Sequence, residues 1–271
     1  MEEMKKFVRD AYGKIAKGFQ NSCCSTSSCC NYDASSISSL IGYSQEEMSS
    51  VPDGSNLGLG CGNPTALAVI KEGDTVLDLG SGAGFDCFLV AKKVGLHGKV
   101  IGVDMTSEML NKARQNAKKG DYSNVEFRLG EIENLPVAND SVDLIISNCV
   151  INLSDNKSRV FEEAFRVLRS GGKVSVSDIV LFGEIPKEVK NSVAAYVGCF
   201  SGAILKDEYL EIMKSKGFVD VKVVEEVKLD FSLVTNDPNA NLLSKELGLT
   251  SSQIADLMKA VVSVKIVARK P

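Results

Sequence analysis

Apolar and polar positions along this chain follow two rhythms in turn. Over residues 2–19, Phe7, Val8, Tyr12, Ile15, Ala16 and Phe19 recur at the spacing of one helical face. The rhythm stops in a Ser/Cys run from Asn21 to Cys30, which reads as a loop or linker. Ser44 with Glu47 three residues on has the form of a capping box and predicts a short helix. Val51–Ser55 is turn chemistry, and Gly58–Pro64 is a glycine-rich loop leading to a short helix near 65–70. From Thr75 short apolar runs predict strands over 75–79, 99–103, 124–129, 142–147 and 173–180. Helical patterns separate them at 82–94, 107–119 and 157–168, with Gly171-Gly172 expected to break the last helix from its strand. Helices near 186–198 and 206–216 follow, then a strand at 219–228, a helix capped at Thr250-Ser251-Ser252 and a last strand at 260–268.

Strands alternating with helices give a parallel sheet covered on both faces. The expected fold is α/β, a Rossmann-like, doubly wound and mostly parallel sheet. The pattern divides into an N-terminal helical and Cys-rich cap (1–50), a Rossmann-like ligand-binding domain (51–183), helices and a strand completing the core (184–230) and a C-terminal extension (231–271). Composition narrows the function. A net charge of −4, with no basic run, disfavours nucleic acid. No apolar run approaches a bilayer span and the first residues do not read as a signal peptide, so no membrane is expected and a cytoplasmic chain is. Eight cysteines there are thiols or core residues rather than a disulfide scaffold.

The chemistry centres on residues 75–86, a strand, a tight turn and the start of a helix. Glycine permits the turn and lets a ligand approach the backbone, and the helix start offers unpaired N–H groups. The spacing, Asp78 then Gly80, Gly82 and Gly84, is not the dinucleotide G-x-G-x-x-G, because position 85 is Phe. It resembles the first motif of the class I S-adenosylmethionine (SAM) methyltransferases. Asp104, closing the second strand, is the second acid that this resemblance calls for, and a carboxylate there can accept the ribose hydroxyls of an adenosine. Ligands of open parallel sheets sit beyond the carboxyl ends of the strands. That rule selects Asp78 and Gly80, then Asp104 and Met105, then the loop Gly130–Pro136, then Ser147-Asn148-Cys149. In the class resembled, the third loop flanks the adenine and the fourth faces the transferring methyl. The expected SAM-binding set is Asp78, Gly80, Ser81, Gly82, Gly84, Asp104, Met105, Glu131, Ile132 and Asn148.

The acceptor is the remaining question. Oxygen or nitrogen acceptors need a base. The chain has one histidine, His97, in a turn at the opposite end of the sheet. An acceptor with a lone pair and no proton to lose needs none. Cys61, between two glycines, Cys149, after strand four, and Cys199, after Gly198, lie in segments able to reach one rim, and converging thiolates would hold a thiophilic ion. Singly, each reads as a small buried hydrophobe. Gly60-Cys61-Gly62-Asn63-Pro64, Ser147-Asn148-Cys149-Val150-Ile151-Asn152-Leu153 and Gly198-Cys199, with the glycine motif and Gly102-Val103-Asp104-Met105-Thr106, resemble the arsenite SAM-methyltransferases over about 50–205. That resemblance implies that Cys149 and Cys199 bind trivalent arsenic and that Cys61 and an N-terminal cysteine take part. Cys23, Cys24, Cys29 and Cys30 are the candidates, with Cys24 preferred.

The resemblance also implies SAM as methyl donor, arsenite or methylarsenite as substrate, and thioredoxin or a small thiol as reductant; a monomer is expected. Cys87 reads as core, and a C-x4-C zinc site at Cys24 and Cys29 stays open. Two other readings stand beside this one. One is a carbon- or oxygen-directed methyltransferase with incidental cysteines; the other is a thiol-rich metalloid-binding protein with SAM as effector.

Overall fold

The computed structural model describes residues 2–18, 34–66, 68–183, 202–228 and 259–271. The Ser/Cys run, the helix expected at 186–198 and the helix expected after Thr250 lie outside them.

Seven strands form one sheet in the order β3-β2-β1-β4-β5-β7-β6. They are β1 (Thr75–Leu79), β2 (Lys99–Asp104), β3 (Val125–Leu129), β4 (Val142–Asn148), β5 (Leu168–Leu181), β6 (Val219–Lys228) and β7 (Val261–Arg269). The first five are mutually parallel, and β7 runs antiparallel between β5 and β6. Strand order reverses between β1 and β4, and such a reversal opens a crevice at the carboxyl ends of the two strands.

Side chains alternate across the sheet, as a period of two requires. Val76, Leu144 and Ile146 pack with Phe88, Val90, Val94 and Leu110 of α4 (Phe85–Val94) and α5 (Ser107–Lys119). Leu77, Leu79 and Ile145 face the other way, into a core with Phe161 of α6 (Lys157–Val167) and Tyr209 and Met213 of α7 (Lys206–Ser215). Three further helices precede the sheet: α1 (Glu2–Ala16), α2 (Ala34–Leu40) and α3 (Gln45–Ser49). Ser44 caps α3 in the reciprocal arrangement expected, its hydroxyl accepting from Glu47 N–H and the Glu47 carboxylate accepting from Ser44 N–H.

Three expectations change. Among the described residues of 65–70 there is no helix. The Asn63 side-chain oxygen takes the N–H groups of Thr65 and Ala66 and the Thr65 hydroxyl, which holds the chain in a turn. Gly171-Gly172 does not separate helix from strand: α6 ends at Val167 and β5 begins at Leu168. Gly171 (φ +78°) sits where β5 loses register with β4, and its N–H bonds Lys270. Residues 261–269, set apart above as an extension, supply an interior strand of the same sheet.

A chain ending at residue 258 leaves the edges of β5 and β6 without the strand between them. It is expected to lose cooperative thermal unfolding and to aggregate. Circular dichroism melts and light scattering check this; a soluble truncated chain with the parent's melting point contradicts it.

Candidate active site

The glycine turn lies at the sheet's reversal point. Gly80 (φ +69°) and Gly82 (φ +52°) adopt the left-handed backbone that favours glycine. A Cβ on Gly80 would stand 2.5 Å from Val150, so the loops after β1 and β4 are pressed together. A Cβ on Gly82 would meet nothing within 4 Å. Ser81 Oγ, in the same turn, is buried with no hydrogen-bond partner among the described residues. An open backbone and an orphaned buried hydroxyl fit a polar ligand seated on this turn.

Asp104 accepts from Gly82 N–H (2.9 Å) through one oxygen and from Thr106 N–H (2.8 Å) through the other. Burial raises its pKa, and those two amides oppose the rise. Ile132 is buried; Glu131 and Met105 are partly exposed. Lys5 of α1 bridges Glu131 (2.7 Å) and Glu133 (3.0 Å), and Lys17 pairs with Glu108 at the start of α5. The first helix is therefore tied across the loops after β2 and β3.

Behind the turn is a buried acidic pair. Asp78 is closed off from solvent, and burial, with the Asp86 charge next, raises its pKa well above the usual range. Cys87 donates its thiol proton to Asp78 Oδ2 (3.2 Å), and burial raises the thiol's own pKa. Cys87 is thus core, as expected, with a polar duty toward Asp78. Asp86 accepts from Tyr43 Oη (2.6 Å) and from Asn148 Nδ2 (3.4 Å), and burial pushes its carboxyl up to about 6.

Asn148 turns toward the Cys61 loop. Its Nδ2 donates to Gly62 O (2.7 Å) and Tyr43 Oη (3.0 Å), and its Oδ1 accepts from Cys61 N–H (3.1 Å). Gly60 must be glycine here: at φ +123° an added Cβ would lie 2.7 Å from the Asn148 amide. Ser263 of β7 donates to Cys61 O (2.7 Å), and Ser175 of β5 donates to Pro64 O (2.8 Å). The loop is thereby stitched across β4, β5 and β7. Cys149, one residue past β4, has φ +57°, a sparsely populated conformation for a side-chain-bearing residue, and its N–H bonds Ser177 O (2.8 Å).

These anchors bring two of the expected thiols together. Cys61 Sγ, Cys149 Sγ and a carboxylate oxygen of Asp178 all lie within 4.8 Å of one another. Cys199 and Cys24, with the other N-terminal cysteines, lie outside the described residues. Asp178, Tyr209, Tyr43 and Asp86 escaped the sequence reading. Asp178 interrupts the apolar run of β5, the one signal that could have marked it. Burial pushes its carboxyl up to about 7.

A glycine turn, a buried acid behind it and a second acid at the end of β2, on this strand order, define a class I SAM-dependent methyltransferase. A methyltransferase-domain family model matches residues 70–217. The arsenite methyltransferase of Halobacterium salinarum is 44% identical over the whole chain and 67% of its own length. That of Aquipseudomonas alcaligenes is 37% identical over 82% of the chain and 64% of its own length. The mouse arsenite methyltransferase is 33% identical, again over 82% of the chain and over 60% of its own length. The chain belongs to the arsenite methyltransferase family, and it spans about two thirds of the length of these relatives. An arsenic(III) S-adenosylmethionine methyltransferase of Chlamydomonas reinhardtii superposes with a TM-score of 0.63 at 31% identity, covering 88% of this chain and 74% of that one. A Haemonchus contortus phosphoethanolamine N-methyltransferase solved with S-adenosyl-L-methionine shares the fold, with a TM-score of 0.59 at 21% identity over 77% of this chain and 51% of that one.

The raised Asp86 carboxyl makes stability depend on pH. The folded chain holds that proton more tightly than the unfolded chain. The contribution is therefore complete below about pH 4 and is lost as pH rises through about 6. Between pH 4 and 7 the stability of Asp86→Asn should gain on the wild type by up to about 3 kcal/mol, read from denaturant midpoints. Parallel pH profiles for the two proteins contradict this.

Proposed function

We propose that this chain transfers the methyl group of SAM to trivalent arsenic held by cysteine thiolates, taking arsenite or methylarsenite as substrate. The observation that carries the reading is the meeting of Cys61 and Cys149, 88 positions apart in sequence (149 less 61), at the reversal point of the sheet beside the glycine turn.

The donor's cradle in this reading is Asp78, Gly80, Ser81, Gly82 and Gly84 of the turn, Asp104 and Met105 after β2, and Glu131 and Ile132 after β3. SAM, when bound, supplies a methyl on a positively charged sulfur. Asn148 acts on both sides, placing the Cys61 loop while sharing hydrogen bonds with Tyr43 and Asp86 behind the turn.

Arsenite enters by ligand exchange. Each cysteine S–H and arsenic–hydroxyl pair gives an As–S bond and a water, with no change of oxidation state. Cys61, Cys149 and Cys199 are the proposed ligands. Arsenic held this way is pyramidal and keeps a lone pair. That pair forms the As–C bond as the methyl–sulfur bond breaks, so arsenic passes formally from trivalent to pentavalent and the sulfonium becomes a thioether. No base is needed, and the protein contributes proximity and orientation. Two thiols, Cys61 and an N-terminal cysteine such as Cys24, then give two electrons to arsenic and close a disulfide, which thioredoxin or a small thiol reopens. The acting unit is a monomer, and among the described residues no helix is long and apolar enough to cross a membrane.

Cys149→Ser should lower methyl transfer from labelled SAM to arsenite, in the presence of a thiol reductant, by at least about a hundredfold. SAM affinity should hold within a few-fold, because Cys149 is not part of the donor's cradle. Full arsenic methylation by this variant would refute the assignment.

A further inference from the structure

Asp178 is the one member of the three-atom cluster that the arsenic chemistry above does not use. It is fully buried, and its Oδ1 accepts from Asn152 Nδ2 (2.8 Å) and Ile179 N–H (2.9 Å). Its Oδ2 accepts from Tyr209 Oη (3.1 Å), which leaves that oxygen room for a second donor. Tyr209 is itself fully buried on α7, and the same Asn152 Nδ2 is fixed by also donating to Ile179 O (2.6 Å). Three donors from three elements thus hold a carboxylate rigidly against two sulfurs. A hard carboxylate oxygen does not compete with thiolates for a soft ion. Its natural partner is a hydroxyl on that ion.

We propose that Asp178 accepts a hydrogen bond from the hydroxyl that arsenic keeps once Cys61 and Cys149 have taken two of its three positions, and that it thereby selects inorganic arsenite over methylarsenite at this two-thiol stage. The proposal rests on the arsenic reading above. The exchange balances: arsenite and two cysteine thiols give a bis-thiolate arsenic carrying one hydroxyl, plus two waters. Methylarsenite and the same two thiols give a bis-thiolate arsenic carrying a methyl, again with two waters. The two complexes differ only in the group turned toward Asp178. A hydroxyl fills an acceptor site that the carboxylate still has open. A methyl desolvates that site and offers it nothing. Sites built to hydrogen-bond a hydroxyl reject the analogue lacking it for this reason. A third thiol, Cys199 in the reading above, displaces the hydroxyl afterwards, so the selection acts on capture.

The test uses the full chain with Ser at Cys23, Cys24, Cys29, Cys30 and Cys199, so that Cys61 and Cys149 are the two thiols at the site and the third arsenic position keeps its hydroxyl or methyl. Dissociation constants for arsenite and methylarsenite are measured by calorimetry, with dithiothreitol titrated in the same buffer as a dithiol bearing no carboxylate. The protein should prefer arsenite by about tenfold more than dithiothreitol does. Asp178→Asn, which sets an NH2 group where Oδ2 was, should bring the ratio down to that of dithiothreitol by weakening arsenite alone. The comparison with dithiothreitol needs no substitution at 178 and stands if that variant does not fold. A wild-type ratio equal to that of dithiothreitol, or an equal loss of both ligands in Asp178→Asn, overturns the selectivity while leaving the arsenic reading intact. If this chain binds neither ligand, the two-thiol capture and its selectivity are overturned; the arsenic reading falls as well if the chain with all its cysteines, titrated alongside, also binds neither.

Discussion

The side-chain amide of Asn148 is the constraint on which the site depends. It ends β4, and with one donor group and one acceptor it grips Gly62 O, Tyr43 Oη and Cys61 N–H. Strand β4 places Cys149 directly, one residue further on. Nothing in the local chain places Cys61, which lies in a loop without regular structure. Asn148 converts the rigidity of the sheet into rigidity of that loop. Because the same amide reaches Asp86, the sulfur loop and the buried acids behind the glycine turn form one hydrogen-bonded body. A half-buried amide left without these partners would lose hydrogen bonds that water only partly replaces, so the arrangement is held as a unit.

The acids carry an electrostatic cost that the fold absorbs. Asp78 and Asp86 both lie out of water; burial opposes the ionisation of each, and the Asp86 charge adds to it at Asp78. Tyr43, Asn148 and Cys87 supply the compensating donors. Asp178 repeats the pattern on the other side, with Asn152, Ile179 N–H and Tyr209 in attendance. Strand β7 enters the same economy, since Ser263 holds the Cys61 carbonyl. This interior antiparallel strand therefore also helps position a thiol.

Much of this was legible in the chain itself. The apolar runs of β1, β2 and β4 and the amphipathic α5 and α6 match the structure within a residue or two, because parallel strands buried on both faces leave a nearly unbroken apolar signature. The glycine turn and Asp104 were legible because the backbone there has few alternatives. The long-range anchors were not. Asn63 holds Thr65 and Ala66 in a turn through bonds to its own neighbours, which helix propensity does not register. Ser263 to Cys61 spans 202 positions and leaves no local pattern. In sequence Asp178 is one acid within a strand and Tyr209 one aromatic within a helix. Their meaning exists only where β5 and α7 meet.

The central claim is that Cys61 and Cys149 hold one arsenic atom between them. Arsenic K-edge X-ray absorption of the arsenite-loaded chain, with Cys61, Cys87 and Cys149 as its remaining cysteines, tests it most directly. The account predicts a shell of two sulfurs and one oxygen around arsenic, with a sulfur lost when either Cys61 or Cys149 is replaced by Ser. A sulfur shell unchanged by either substitution, or an oxygen-only shell in the parent, would contradict it.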